Sequence, residues 1–412
     1  MTAEHDDSEA DVRDRYRRRT ALGTMAIGLF AGCLNLREET EQGTQSNGDA
    51  TEPTTETDDQ PDEPTPDSVS SYDLEERWVA DLETGTVAAL EQASGDGALY
   101  AAGGDPATVV RVSPADGTTR WSRSLEAPLP DEDAIELSSD EEVLAVGIKA
   151  GTVRLLDADD GTTLWERETV HSEHIGIALG SENVIVLSDT TDDEGGAVTA
   201  LNRSTGRIEW RNTREDFLAV DDSPVLLSQV SAPVDGWIFV GGWNGSYRIA
   251  TADGSIDGEE FRSASRGWTT VGDRFYVPDR EGINAVSVPA WQRRWRAESL
   301  GRVRNRPALA DGSVYFGAED DGYYAVDAET GDREWRLRFV EARGPPPEPA
   351  VSTDRVWVSD RVRSVYGIDR ATGELDGVQE LESESGSIRS VRTRADSILV
   401  LETGALRCFE LP

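Results

Sequence analysis

Residues Ser313 to Trp335 read SVYFGAEDDGYYAVDAETGDREW. Two short runs rich in β-branched and aromatic residues, Ser313 to Ala318 and Gly322 to Asp327, flank an acidic stretch, and this pattern predicts two strands joined by a tight turn. Ala328-Glu329-Thr330-Gly331 then supplies a second turn, and a third strand is headed by Trp335. The segment is one antiparallel meander.

The same punctuation recurs along the chain. Val112-Ser113-Pro114-Ala115-Asp116-Gly117 leads to Trp121, Leu156-Asp157-Ala158-Asp159-Asp160-Gly161 to Trp165, and Leu201-Asn202-Arg203-Ser204-Thr205-Gly206 to Trp210. Gly117, Gly161, Gly206, Gly254, Gly331 and Gly373 fall four residues before the Trp register, where a hairpin turn asks for positive φ. Trp121, Trp165 and Trp210 are spaced by 44 and 45 residues, and Trp295 and Trp335 by 40. A period of this size marks a repeat architecture.

The first strand of each unit falls at Leu99-Tyr100, Val143-Leu144, Val184-Ile185, Trp237-Ile238, Phe275-Tyr276, Val314-Tyr315, Val356-Trp357 and Ile398-Leu399, giving eight units. The eighth stops at Cys408-Phe409-Glu410-Leu411 without its Thr-Gly turn or Trp, whereas Trp78 and its strand precede the first complete unit. The prediction is an all-β, eight-bladed β-propeller of four-stranded antiparallel blades over 73–412, closed by the N-terminal strand joining the C-terminal blade. Trp78, Trp121, Trp165, Trp210, Trp295 and Trp335 are read as blade-docking residues, filling the gap to the neighbouring sheet. Unit four lacks the Trp of the repeat register, unit five carries Trp291 in place of the turn Gly, and unit seven runs Thr372-Gly373-Glu374-Leu375-Asp376 without one.

The run Ala325-x-Asp327-x-x-Thr330-Gly331-x-x-x-Trp335 resembles the repeat of pyrroloquinoline-quinone-type β-propellers, and five further units carry degraded versions. Gly-His/Trp-Asp pairs of WD40 blades and the sialidase Asp box fit worse. Within the resembled family, the small repeat-only members without cofactor ligands look like the assembly lipoprotein of the outer-membrane β-barrel machinery. The resemblance implies a mode of action in which loops on one face, or a strand edge, receive a protein partner. It does not carry over the outer-membrane role. Its quinoprotein dehydrogenases are longer and hold an adjacent Cys pair and a calcium site beside the quinone. This chain has two Cys, Cys33 and Cys408, so no cofactor is expected; a cofactor-binding oxidoreductase is the competing reading.

Composition narrows the function further. The chain has 412 residues, 80 Asp+Glu against 40 Lys+Arg and a formal charge of −40, and Lys149 is its single lysine. Acid excess with lysine nearly eliminated resembles extreme halophiles, and it excludes a general nucleic-acid binder. The N-terminus reads as an address. Arg18-Arg19-Thr20-Ala21-Leu22 resembles the twin-arginine export motif, and Phe30-Ala31-Gly32-Cys33 a lipobox, so 1–33 is expected to be a lipoprotein signal with Cys33 lipidated. The region 34–72 is expected to be an acidic disordered tether; 34–71 holds one Arg and eleven acids. A monomer on the extracytoplasmic face of the membrane, holding a protein partner, is the expectation.

Other chemistry is sparse. His171-x-x-His174 has no helical Glu to complete a zinc signature, and the cluster Asp189, Asp192, Asp193 and Glu194 matches no defined calcium loop, so no metal is expected. Trp243, Trp268, Trp291 and Trp357 lie off the repeat register, and the first three are stacking candidates if the protein binds glycans. The segments destined for the innermost strands are unevenly charged. Units two to four receive Asp131, Glu132, Asp133, Glu136, Glu173, Glu215, Asp216, Asp221 and Asp222, whereas units five to eight receive Arg262, Arg266, Arg302, Arg304, Arg306, Arg343, Arg389, Arg392 and Arg394. Arg302-x-Arg304-x-Arg306 alternates at period two, which in an extended strand puts all three on one side. Arg302, Arg304, Arg306, Arg392 and Arg394 are therefore the candidate anion- or partner-binding residues of a polarised channel.

Overall fold

The computed structural model describes residues 69–412 without 83–86, 94–96, 130–133, 150, 170–173, 190–196, 218–226, 243–244, 258–266, 289, 320–321, 339–345 and 383–386. Chain contacts divide after Asp59, and every described residue lies in the unit Gln60–Pro412. Arg18, Arg19, Cys33, His171 and Trp243 lie outside the described residues.

Eight four-stranded antiparallel sheets form the ring. Blades 1 to 7 are each built from four consecutive strands, spanning 87–124, 135–168, 174–213, 227–257, 269–298, 308–338 and 350–380. Blade 8 takes three strands from 388–410 and its outermost strand, Glu76–Asp81, from the other end of the chain. Within each blade the middle strands are covered on both faces by neighbouring blades. Val143–Ile148 is buried at every position, which is why it reads as a continuous apolar run. The outer strand Thr163–Glu168 buries only Trp165. The core is correspondingly distributed as eight layers between adjacent blades. Tyr100, Val109, Leu144 and Val146, for example, pack between blades 1 and 2, and Leu99, Val110, Leu399 and Cys408 between blades 8 and 1.

The recurring motif is a joint. Gly117, Gly161, Gly206, Gly254, Gly331 and Gly373 all have positive φ, and each lies under the Trp of the preceding blade. A Cβ on Gly161 would come within 2.8 Å of the Trp121 ring. The indole N–H groups then donate into the same turns: Trp121 to the Ala158 carbonyl at 2.9 Å, Trp165 to Arg203 at 2.7 Å, Trp210 to Thr251 at 2.8 Å and Trp335 to Arg370 at 2.8 Å. Trp78 and Trp295 donate to Pro114 and Ala328. The Asp of the motif shapes the turn. Asp327 Oδ1 accepts the amides of Glu329 and Thr330, and Asp369 those of Ala371 and Thr372. Those backbone hydrogen bonds, Thr330 and Thr372 foremost, hold both carboxyls below the usual range.

Two joints depart from this pattern. In blade 5 the turn position is occupied by Trp291, with φ of 50° and the same turn hydrogen bond, from its amide to the Ser287 carbonyl. Its ring stacks back on Phe239 of blade 4 at 4.7 Å, so the aromatic group comes from the opposite side of the gap. In blade 7, Gly377 pairs with Gly367 where Trp335 pairs with Ala325 in blade 6. Tyr72 covers that bare site: its ring lies 5.5 Å from Trp357, as Trp335 lies 5.9 Å from Tyr315. Tyr72 therefore belongs to the propeller, on the folded side of the boundary expected at residue 72. Backbone hydrogen bonds from Tyr72 N–H to Val378 O and from Val378 N–H to Ser70 O hold it there, ahead of the strand Glu76–Asp81 in blade 8.

Candidate functional site

The segments that enter each blade surround a cavity of about 1130 Å³ on the propeller axis, with lining residues from all eight blades. Leu90, Ile175, Ile177 and Val230 give blades 1, 3 and 4 an apolar wall. Charge is concentrated elsewhere. Among the described residues the lining holds five cations, Lys149, Arg304, Arg306, Arg361 and Arg392, against three carboxylates, Glu91, Glu136 and Glu348. That inverts the chain-wide ratio of 40 basic to 80 acidic residues. Four of the cations come from blades 6 to 8, so the positive charge is one-sided.

The cations differ in how they are held. Arg304 pairs with Glu319, and Arg392 with Glu348 at 3.0 Å. Arg306 and Arg361 are exposed, and neither makes an ion pair among the described residues. Gly267 of blade 5 fixes Arg306: with φ of 103°, it lies so close to the Arg306 backbone that a Cβ would sit 2.6 Å from the amide nitrogen. Arg361 has φ of 62° in a hairpin whose Asp360 accepts the amides of Val362, Arg363 and Ser364. Between Arg304 and Arg306, Asn305 lines the same cavity, and its buried amide nitrogen meets no acceptor among the described residues. Across the channel, burial pushes the Glu91 carboxyl up, opposed by the Ser139 amide and by the charges of Arg306 and Arg392.

Of the five arginines singled out in the sequence, Arg304, Arg306 and Arg392 are brought together in the lining, whereas Arg302 and Arg394 are absent from it. The triplet does not form a strand. The inner strand of blade 6 begins only at Ala308, and Val303 makes an isolated bridge to Ala318. Arg394 instead reaches Gly97 in the first hairpin of blade 1. Glu136 lines the channel, while Glu215 and Asp216 belong to a short 3-10 turn. Asp131, Glu132, Asp133, Glu173, Asp221, Asp222, Arg262, Arg266 and Arg343 lie outside the described residues. Arg361 and Asn305 were not legible as site residues, because their placement depends on hairpin geometry rather than on a periodic pattern.

Of the glycan-stacking candidates, the two described ones do not present open faces: Trp268 and Trp291 are 7% and 4% exposed, packed with Phe239 and Phe275 between blades 4 and 5. A quinone site of the kind held beside an adjacent Cys pair does not fit these residues either. Cys408 is buried in the layer between blades 8 and 1, away from the axis. Among the described residues no group of three or more His, Cys, Asp or Glu is arranged to hold a metal ion.

A family model described as outer membrane protein assembly factor BamB matches residues 67–216, 149–287 and 237–402, in overlapping windows that start about two blades apart. Among solved structures, BamB from Moraxella catarrhalis superposes with a TM-score of 0.64 at 16% identity, covering 82% of this chain and 98% of that one. The computationally designed Ika8 protein gives 0.64 at 14% identity over 82% and 99%, and the C-terminal WD40 domain of Sif2 gives 0.63 at 11% over 84% and 99%. At these identities the structural likeness speaks for the fold alone. A comparison with curated proteins gives no match.

Proposed function

Since the chain belongs to the family of the outer membrane protein assembly factor BamB, we propose that it is an exported, lipid-anchored propeller that binds a protein partner at the extracytoplasmic face of the membrane and performs no chemistry of its own. The twin-arginine-like Arg18-Arg19 and the lipobox-like Phe30-Ala31-Gly32-Cys33 support export and anchoring. The observation that carries the binding role is the inversion of charge in the axial channel, where a very acidic protein gathers guanidinium groups. Clustered arginines in a partly shielded cavity serve recognition of carboxylates, since each presents a planar fork of donors.

The test is affinity purification of the full chain from membranes in molar salt, with Arg304, Arg306 and Arg392 replaced together by Gln in a parallel sample. Capture of a defined partner by the wild type, lost in the triple variant, is expected. A wild-type eluate indistinguishable from a control lipoprotein sinks the reading. Anchoring is read separately: Cys33→Ser moves the protein from the membrane to the soluble fraction and abolishes incorporation of labelled fatty acid.

A further inference from the structure

We propose that the axial channel takes a carboxylate-rich peptide segment of the partner, anchored by Arg306 and Arg361. This rests on the protein-binding reading above and names the chemistry the site selects. Arg306 and Arg361 are exposed on the channel, one from the segment entering blade 6 and one from a hairpin of blade 7, and neither has an ion pair among the described residues. Asn305 adds a buried amide nitrogen without an acceptor between Arg304 and Arg306. Two exposed guanidinium groups from two blades thus line the channel, with the Asn305 amide beside one of them.

The partner's chemistry follows from the rest of the lining. Arg304 and Arg392 are neutralised by Glu319 and Glu348, so an incoming anion displaces those side chains to recruit them. Glu91 and Glu136 stand on blades 1 and 2, and they repel a chain carrying charge on every side. The apolar wall of Leu90, Ile175, Ile177 and Val230 suits aliphatic side chains. An acidic peptide with one charged and one apolar edge satisfies both walls. The aliphatic wall offers nothing to the hydroxyl-covered backbone of a sugar polyanion, and Trp268, the aromatic side chain in the lining, is 7% exposed.

The test measures fluorescence anisotropy of a labelled six-residue peptide of alternating glutamate and leucine added to the full-length protein, at low and at molar salt. Saturable binding is expected, at least tenfold weaker in the Arg306→Gln/Arg361→Gln double variant and unchanged in Arg211→Gln, an exposed arginine on the outer strand of blade 3. Both channel arginines are exposed, so an unaltered melting temperature accompanies the loss. In the anisotropy assay the proposal is overturned by no binding, by equal binding of the double variant, or by an oligogalacturonate binding as tightly as the peptide. If membrane partner capture survives in the double variant while peptide binding fails, this proposal falls and the scaffold reading stands. If the wild type captures no partner, the scaffold reading itself falls.

Discussion

Tyr72 lies over Gly377 so closely that a Cβ on the glycine would stand 2.5 Å from the phenol ring carbon bearing the hydroxyl. The two residues divide between them what a single tryptophan does in six other blades. Gly377 leaves the space, and the N-terminal segment fills it. The Tyr72 hydroxyl donates to Asp376 at 2.8 Å, and Asp376 is also gripped by Arg355 at 2.6 Å. Hydrogen bonds from Tyr72 and then Arg355 hold the Asp376 carboxyl below its usual range. Because its folded-state value is depressed, this contribution to stability is present above the ordinary aspartate range and lost as pH falls through the depressed value.

Tyr72→Ala should therefore destabilise the propeller by about 2 kcal/mol in denaturant unfolding, as a large aromatic side chain leaves a partly buried slot. Gly377→Trp in the wild-type background should also destabilise, by ejecting Tyr72. Combined, the two changes should recover most of the loss, since the double variant rebuilds the regular joint. Additive losses would show that Tyr72 does not stand in for the tryptophan.

Gly161→Ala should cost about 2–3 kcal/mol, through an alanine at positive φ and the clash of its methyl with the Trp121 ring. Trp121→Ala should cost about 3 kcal/mol. A double-mutant cycle should give about 1–2 kcal/mol of coupling, because removing the indole relieves the clash but not the backbone strain. A coupling near zero would argue against the joint.

Trp291→Gly tests the inverted joint. Glycine suits the backbone better, yet the change should destabilise by about 2–3 kcal/mol, because the stacking on Phe239 is lost and blades 4 and 5 face a void. A stabilised variant, measured by thermal melting, would mean that the strained φ outweighs the packing.

Glu91→Gln should raise the melting temperature by about 1–3 °C at neutral pH. The folded-state value of Glu91 is raised, chiefly by burial, so its favourable contribution is full below the ordinary glutamate range and is lost as pH rises through the raised value. Glutamine mimics the protonated form and still accepts from the Ser139 amide, now 3.2 Å from the carboxylate. The gain should vanish at pH 4 and below; a gain that persists there would point to packing instead.

The repeat was legible because each blade solves the same packing problem with the same residues: a Gly that must turn at positive φ, and a Trp that must fill the gap beside it. Ring closure was legible from Trp78, an indole without a unit. Tyr72 was hidden, since a lone tyrosine bordering an acidic stretch carries no periodic signal and its partner is absent as a side chain altogether. The channel was half legible. Arg304 and Arg306 stand two apart and reach the same cavity, but Arg302 departs because an irregular lead-in, rather than a strand, carries the triplet. Arg361 arrives from a hairpin that no charge count of the inner segments could reach.

Blade 8 also sets the order in which the molecule can be finished. The strand Glu76–Asp81 finds its partner only in Ala405–Glu410, and 304 residues separate Tyr72 from Asp376. A chain made from its N-terminus produces this strand first and must hold it unpaired until nearly everything else has been made, because contacts this distant in sequence form late. The first of the described strands is thus the last to be placed. A product cut short before Ala405 leaves that strand without a partner and the ring open.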